Sequence, residues 1–197
     1  MATRFTAELN PKDVDSVLSM VEDLRKESPK LIFWSLKKGA NKGQSETVNN
    51  VYAKANLTKT KIKKRTSVRF YSISQLTAKL RIKSGNIPLE EFNGTKVYKS
   101  QSKPGVYFKI WRDEAQENYR HAFGLAANPQ DITRGVWERE INALDYDGRY
   151  PLRRKFGPSV ATVFEKTPRL SDHVLKTATD TMVAELNRLV NLKLDSY

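Results

Sequence analysis

The hydrophobic period of this chain changes twice, and that restricts its fold more than any single residue. Val14, Val17, Leu18, Val21 and Leu24 recur at helical spacing, which predicts a helix with one apolar face. Asn10 before Pro11 suits an N-cap followed by proline in the first turn. Ser28 before Pro29 repeats that device, so the pattern predicts a stop there and a second helix over residues 29–55. That helix starts on Leu31, Ile32, Phe33, Trp34 and Leu36. It weakens at Gly39 and Gly43, each costing about 1 kcal/mol against alanine. Val48, Val51, Tyr52 and Ala55 restore the period.

The period then becomes two. Leu76, Ala78, Leu80 and Ile82 alternate with Thr77, Lys79, Arg81 and Lys83, the pattern of a half-buried strand. A turn at 84–86 leads into an extended edge at Ile87, Pro88 and Leu89. Asn93 and Gly94 mark another turn before a strand at 95–98. Residues 99–105 read as a polar hairpin tip, followed by a strand alternating Val106, Phe108 and Ile110 with Tyr107, Lys109 and Trp111. Strands over 120–127 and 135–141 are joined by a turn at 128–131.

The stretch 148–160 carries Pro151 and Pro158, each lacking a backbone donor, so it reads as an edge strand or extended crossover. It also carries the basic triplet Arg153, Arg154 and Lys155. Period 3.6 then returns. Thr167 before Pro168 predicts a helix start, and Leu170, Val174, Leu175, Ala178, Met182, Leu186, Leu189 and Val190 follow on one face. The fold class is α+β: N-terminal helices, an antiparallel β-sheet in the middle and a C-terminal amphipathic helix. The organisation divides into a helical and basic arm, 1–70, and a sheet with its C-terminal helix, 71–197, the two built as one structural unit.

Charge is distributed unevenly. The net charge is +13, and residues 29–112 hold 19 basic and 3 acidic side chains, while the flanks nearly balance. Between Glu46 and Glu90 there is no acid and there are ten Lys and Arg. The densest part comprises Lys59, Lys61, Lys63, Lys64, Arg65 and Arg69. A charge run of this kind is either a solvated face or a surface for a polyanion or acidic partner. With Arg153, Arg154 and Lys155 it makes the candidate interface. Residues 58–69 read as a short helix or an exposed loop.

Other chemistry finds little support. The chain has no cysteine, which excludes disulfides and thiolate catalysis. His121 and His173 have no spaced ligand partners. Asp145 and Asp147 bracket Tyr146 without the further ligands of a calcium loop. Glu90 and Glu91 are adjacent, so on a strand they face opposite ways. No catalytic residue, metal site or cofactor is expected. Phe33, Trp34, Trp111, Phe123 and Trp137 sit in apolar patterns and read as core or subunit interface. No apolar run approaches the roughly 20 residues of a membrane span, and the first residues lack a signal-peptide core. The expectation is a soluble protein used in the cytoplasm or loaded there into something larger. A mean hydropathy of -0.62 suggests elements that find packing partners only in an assembly.

Three stretches resemble the prophage minor tail protein Z family. Leu80-Arg81-Ile82-Lys83-Ser84-Gly85-Asn86-Ile87-Pro88-Leu89 is similar to that family's first strand and its following proline. His121-Ala122-Phe123, with Gly135-Val136-Trp137-Glu138-Arg139 about a dozen residues on, resembles its strand pair. Arg149-Tyr150-Pro151-Leu152 and Gly157-Pro158-Ser159-Val160 resemble its proline signature. The resemblance spans roughly residues 29–190, with motif strength in 80–160.

It implies a structural minor tail or tail-completion protein of a tailed bacteriophage, at the head-proximal tail end or head–tail junction of the virion, assembled in the host cytoplasm. It further implies other tail or neck proteins as partners, a six-fold homo-oligomeric ring, contact with packaged DNA or an acidic ring, and no membrane. No catalytic residues or cofactors come with it. The alternative is a free-standing, sequence-nonspecific nucleic-acid-binding protein. That reading expects a recognition helix or stacked aromatics among the cations, and residues 58–69 have neither.

Overall fold

In the computed structural model, which describes residues 11–98 (side chains from 19), 105–124, 135–139 and 151–196, the first element is a single long helix. Helix α1, Pro11–Lys54, has 44 residues and is therefore roughly 66 Å long. It runs through Pro29, where the sequence pattern had placed a boundary. An interior proline removes an i→i−4 bond and costs about 3 kcal/mol. The carbonyl it deprives is that of Arg25, and Ser28 Oγ donates to this oxygen at 3.0 Å. The missing amide is thus replaced locally, and packing outweighs the rest of the cost.

The partner of α1 is α4, Leu170–Leu194. The two run antiparallel. Lys38 Nζ meets Glu185 at 2.5 Å, and Lys193 meets Glu27 at 3.2 Å. Gly39 and Gly43, one turn apart, lie against Ala178, where the helices come closest. The two glycines that weaken the helix in isolation are the ones that admit its neighbour. A second correction concerns the start of α4. Thr167 is not its cap: its hydroxyl donates back to the Val163 carbonyl at 2.9 Å. It instead closes a short helix α3, Val160–Lys166, which the periodicity had not revealed. Ser159 caps α3 by accepting from the Thr162 amide. The N-cap of α4 is Arg169, in the left-handed region at φ 56°.

The middle of the chain is all antiparallel, as expected, but divided into small sheets. After α1 comes α2, Lys59–Lys64, then the hairpin β1, Thr66–Phe70, and β2, Ala78–Ile82. The short strand β3, Ile87–Pro88, leads into a 3-10 turn, Leu89–Glu91. Strands β4 (Lys96–Tyr98), β5 (Gly105–Phe108) and β6 (Glu117–Tyr119) form one sheet. The sequence pattern contained no strand at β6. Strands β7 (Ala122–Gly124), β8 (Val136–Arg139) and β9 (Leu152–Arg154) form another. Strand β10, Phe156–Gly157, pairs with β3. The strands at 120–127 and 135–141 are therefore shorter than predicted within the described residues. The hairpin tip at 99–104, the turn at 128–131 and the acidic turn at 145–147 lie outside them.

Strand β9 pairs only with β8, and β10 only with β3. The stretch between the two prolines thus serves as edge and crossover, for the backbone reason given above. The core collects at the C-terminal end of α1. Val51, Leu57, Ile62, Ile87, Leu89, Val106, Phe108, Val136, Val160 and Val163 are all buried there. Phe108 is fully buried and packs on Tyr119 with ring centroids 4.6 Å apart. Its truncation to alanine would cost about 3–5 kcal/mol.

Candidate functional site

Helix α2 is short and is held from one side. Thr58 caps it by accepting from the Lys61 amide at 3.4 Å, and Ile62, fully buried, pins it to the core. With Ile62 turned inward, helical spacing turns Lys59, Lys63 and Lys64 away from the core. All three are exposed. They form one wall of a cleft of about 870 Å³ between α2 and α1. The α1 wall consists of Asn41, Gln44, Ser45, Val48 and Asn49, and Thr60 completes the α2 side. Gln44 also donates to the Thr66 carbonyl at 3.0 Å, which ties α1 to the start of β1.

The cleft is lined by donors. Three ammonium groups, side-chain amides and hydroxyls converge, and no carboxylate lines it. The neighbouring acid, Glu46, is paired with Lys42 at 2.8 Å. Such a donor set suits oxyanions, whether carboxylate or phosphate. Lys59 Nζ lies 5.2 Å from the Tyr52 ring centroid, so Tyr52 supports the lysine from beneath.

The other predicted cations separate into two groups. Lys61 donates to the Glu91 carbonyl, and Arg65 meets the Glu91 carboxylate at 3.0 Å. Arg154 pairs with Glu90 and lies over Trp137 and Phe156. Lys155 pairs with Glu138, its Nζ 5.1 Å from the Tyr119 ring centroid. These four are half-buried and hold the turn at Glu90–Glu91 and the edge of β8 in place. Arg153 is exposed, opposite Glu138 in the β8–β9 register. Glu90 and Glu91 are thus the acids that divide the basic segment into structural and outward-facing halves.

Arg69 belongs to the outward half, with residues the sequence reading had not singled out. On the hairpin the register sets Arg69 opposite Lys79 and Ser67 opposite Arg81. Arg69, Lys79, Arg81 and Lys83 are all exposed. Like charges directly across a strand pair are unfavourable. Here the Tyr71 ring lies 6.0 Å from the Arg69 guanidinium carbon and 5.4 Å from Lys79 Nζ, which offsets part of that repulsion. The signal for these residues was present in the alternation of Thr77, Lys79, Arg81 and Lys83. The inward face of the hairpin is apolar, with Phe70 against Phe33 at 6.4 Å.

Arg112 was also missed. Its guanidinium donates to the carbonyls of Tyr52, Ala55 and Leu57 at 2.6, 3.2 and 3.1 Å. A cation thereby closes the C-terminal end of α1, where unpaired carbonyls concentrate negative potential. His121 and His173 are exposed. Among the described residues no three His, Cys, Asp or Glu side chains gather as a metal site, and no helix is long and apolar enough to cross a membrane.

Among known proteins, the family model for prophage minor tail protein Z (GPZ) matches residues 12–197. Neither the curated proteins nor the solved structures give a match.

Proposed function

Since the chain belongs to the prophage minor tail protein Z family and is a structural protein of a phage tail, we propose that it sits at the head-proximal end of that tail. There it forms a ring that follows the tail's six-fold symmetry, and its α1–α2 cleft receives acidic side chains of an adjoining tail or neck protein. The observation that carries this reading is the convergence of Lys59, Lys63 and Lys64 on amide and hydroxyl donors in one cleft. Three like charges held together repel one another and gain little in isolation. An acidic partner removes that repulsion. The cleft has the volume of a side-chain or small-ligand pocket, which suits carboxylates entering singly. The apolar and aromatic neighbours, Val48 and Tyr52, sit beneath the lysines and leave no ring free to stack on a base.

The test replaces Lys59, Lys63 and Lys64 together by glutamine. Lys61 and Arg65 are left alone because they hold Glu91. The yield of joined, infectious particles is measured, and DNA binding by the purified protein is followed against salt. Loss of joining without a change in DNA binding supports the proposal. A steep salt-dependent DNA affinity, with a slope near -0.9 per phosphate neutralised, that the substitutions abolish would move the partner to the packaged genome. If neither quantity changes, the cleft is a solvated surface.

A further inference from the structure

The N-terminal arm of α1 and an apolar groove at the other end of the same helix fit each other, but not within one molecule. We propose that the arm of one copy docks in the groove of the next, linking copies head to tail. This rests on the ring reading above and supplies its contact.

Helix α4 ends at Leu194, and its last ion pair to α1 joins Lys193 to Glu27. N-terminal to Glu27, α1 continues for 16 residues to Pro11. Its sequence there repeats Val14, Val17, Leu18, Val21 and Leu24 at helical spacing, the anchor pattern of a helix that lies in a groove. Val21 is 55% exposed, although it belongs to this stripe.

The groove lies between α1, α4 and the inner face of the β1–β2 hairpin, with a volume of about 380 Å³. Leu36, Ala40, Leu80, Ile82, Leu175 and Met182 are among its lining residues. Leu175, on its rim, is 68% exposed.

Charge selects the occupant. Residues 11–28 carry five acids and three bases, whereas residues 66–83, the hairpin that walls the groove, carry four bases and no acid. An acidic amphipathic helix is therefore what this groove attracts, and the arm is one. The arm cannot reach its own groove. Val21 and Gly43, which lies against Val174, are 22 residues apart on one unbroken helix, about 33 Å. A contact between two different surfaces is heterologous, and it closes into a ring when the rotation permits.

The chain has no cysteine, so cross-linking is free of background from its own thiols. Val21→Cys and Leu175→Cys are introduced singly and together, and tail particles carrying each variant are oxidised and then denatured. The expected result is a ladder of covalent multimers of this chain from the double variant only. A disulfide within one copy is excluded, because it needs Cα atoms within about 7 Å. Dimers from Val21→Cys alone would mean that arms pair with arms, and would overturn the proposal. So would the absence of a ladder in particles that contain the protein, while leaving the tail placement standing. If the chain is missing from particles, that placement fails instead. The same oxidation of concentrated purified double variant then decides the docking, with a ladder in its favour and none against it.

Discussion

Gly39 lies so close to Ala178 that a Cβ built on it would stand 2.6 Å from the Ala178 carbonyl oxygen and 2.9 Å from Met182 Cβ. At Gly43 the same construction gives 3.3 Å to Ala178 Cβ, a close contact between side chains. The long helical pair is therefore held by one backbone approach that only glycine permits, with a more tolerant position one turn away.

Alanine at the two sites should behave differently. Gly39→Ala gains about 1 kcal/mol of helix propensity, yet forces α1 and α4 apart and should destabilise the protein by about 1–3 kcal/mol net. Gly43→Ala should fall within about 1 kcal/mol of the parent, because a side chain can yield by a few tenths of an ångström. Urea denaturation of both variants checks this. Equal effects would show that the closest approach is not at Gly39.

The Ser28–Arg25 bond should matter only while Pro29 is present. Ser28→Ala should weaken the arm by about 0.5–1 kcal/mol, read as faster amide hydrogen exchange N-terminal to Pro29. Pro29→Ala should slow that exchange, since it restores an i→i−4 bond. In the Pro29→Ala background, Ser28→Ala should then change little. A persistent effect would mean that Ser28 acts through something other than the vacated carbonyl.

Arg112→Lys should fail to replace arginine at the end of α1. A lysine offers a point charge, whereas the carbonyls of Tyr52, Ala55 and Leu57 are gathered by one planar fork. The expected loss is about 2–3 kcal/mol, measured by thermal unfolding. The side-chain stack on Tyr52, at 4.1 Å from the ring centroid, should be lost with it, which Tyr52 fluorescence or NMR shifts would register.

Acid should act on the helical pair through Glu185. Hydrogen bonds from Arg188 and then Lys38 hold its carboxyl at about 2, against an ordinary 4.5. Because the folded value is depressed, the stabilisation is fully present above about pH 4.5 and is lost as the pH falls towards 2. Glu185→Gln should remove this component, so its urea midpoint should fall less steeply than the parent's across that window. Parallel profiles would exclude Glu185 as a contributor.

The sequence by itself determined the class of the fold and the alternation of its parts. A period of 3.6, then two, then 3.6 again leaves few arrangements other than helix, antiparallel strands and helix. The family motifs at 80–89, 121–139 and 149–160 were legible for the same reason, since short strands and their turns are local. The acid-free character of the basic segment was equally plain from the residues alone. Tertiary structure decided what local preference could not. Pro29 and Gly39 both argue for a break in α1, and both are overruled: one by a neighbouring hydroxyl, the other by a helix more than a hundred residues away. Which cations face outward was also a long-range matter. Lys61 and Lys63 are two residues apart with the same side chain. One is drawn to a carbonyl at Glu91 and the other is left in a cleft, because Ile62 between them fixes the rotation of α2 against the core. A charge pattern shows how many cations a segment has. The acids that take some of them lie on a different turn of the chain and come into reach only when the chain has folded.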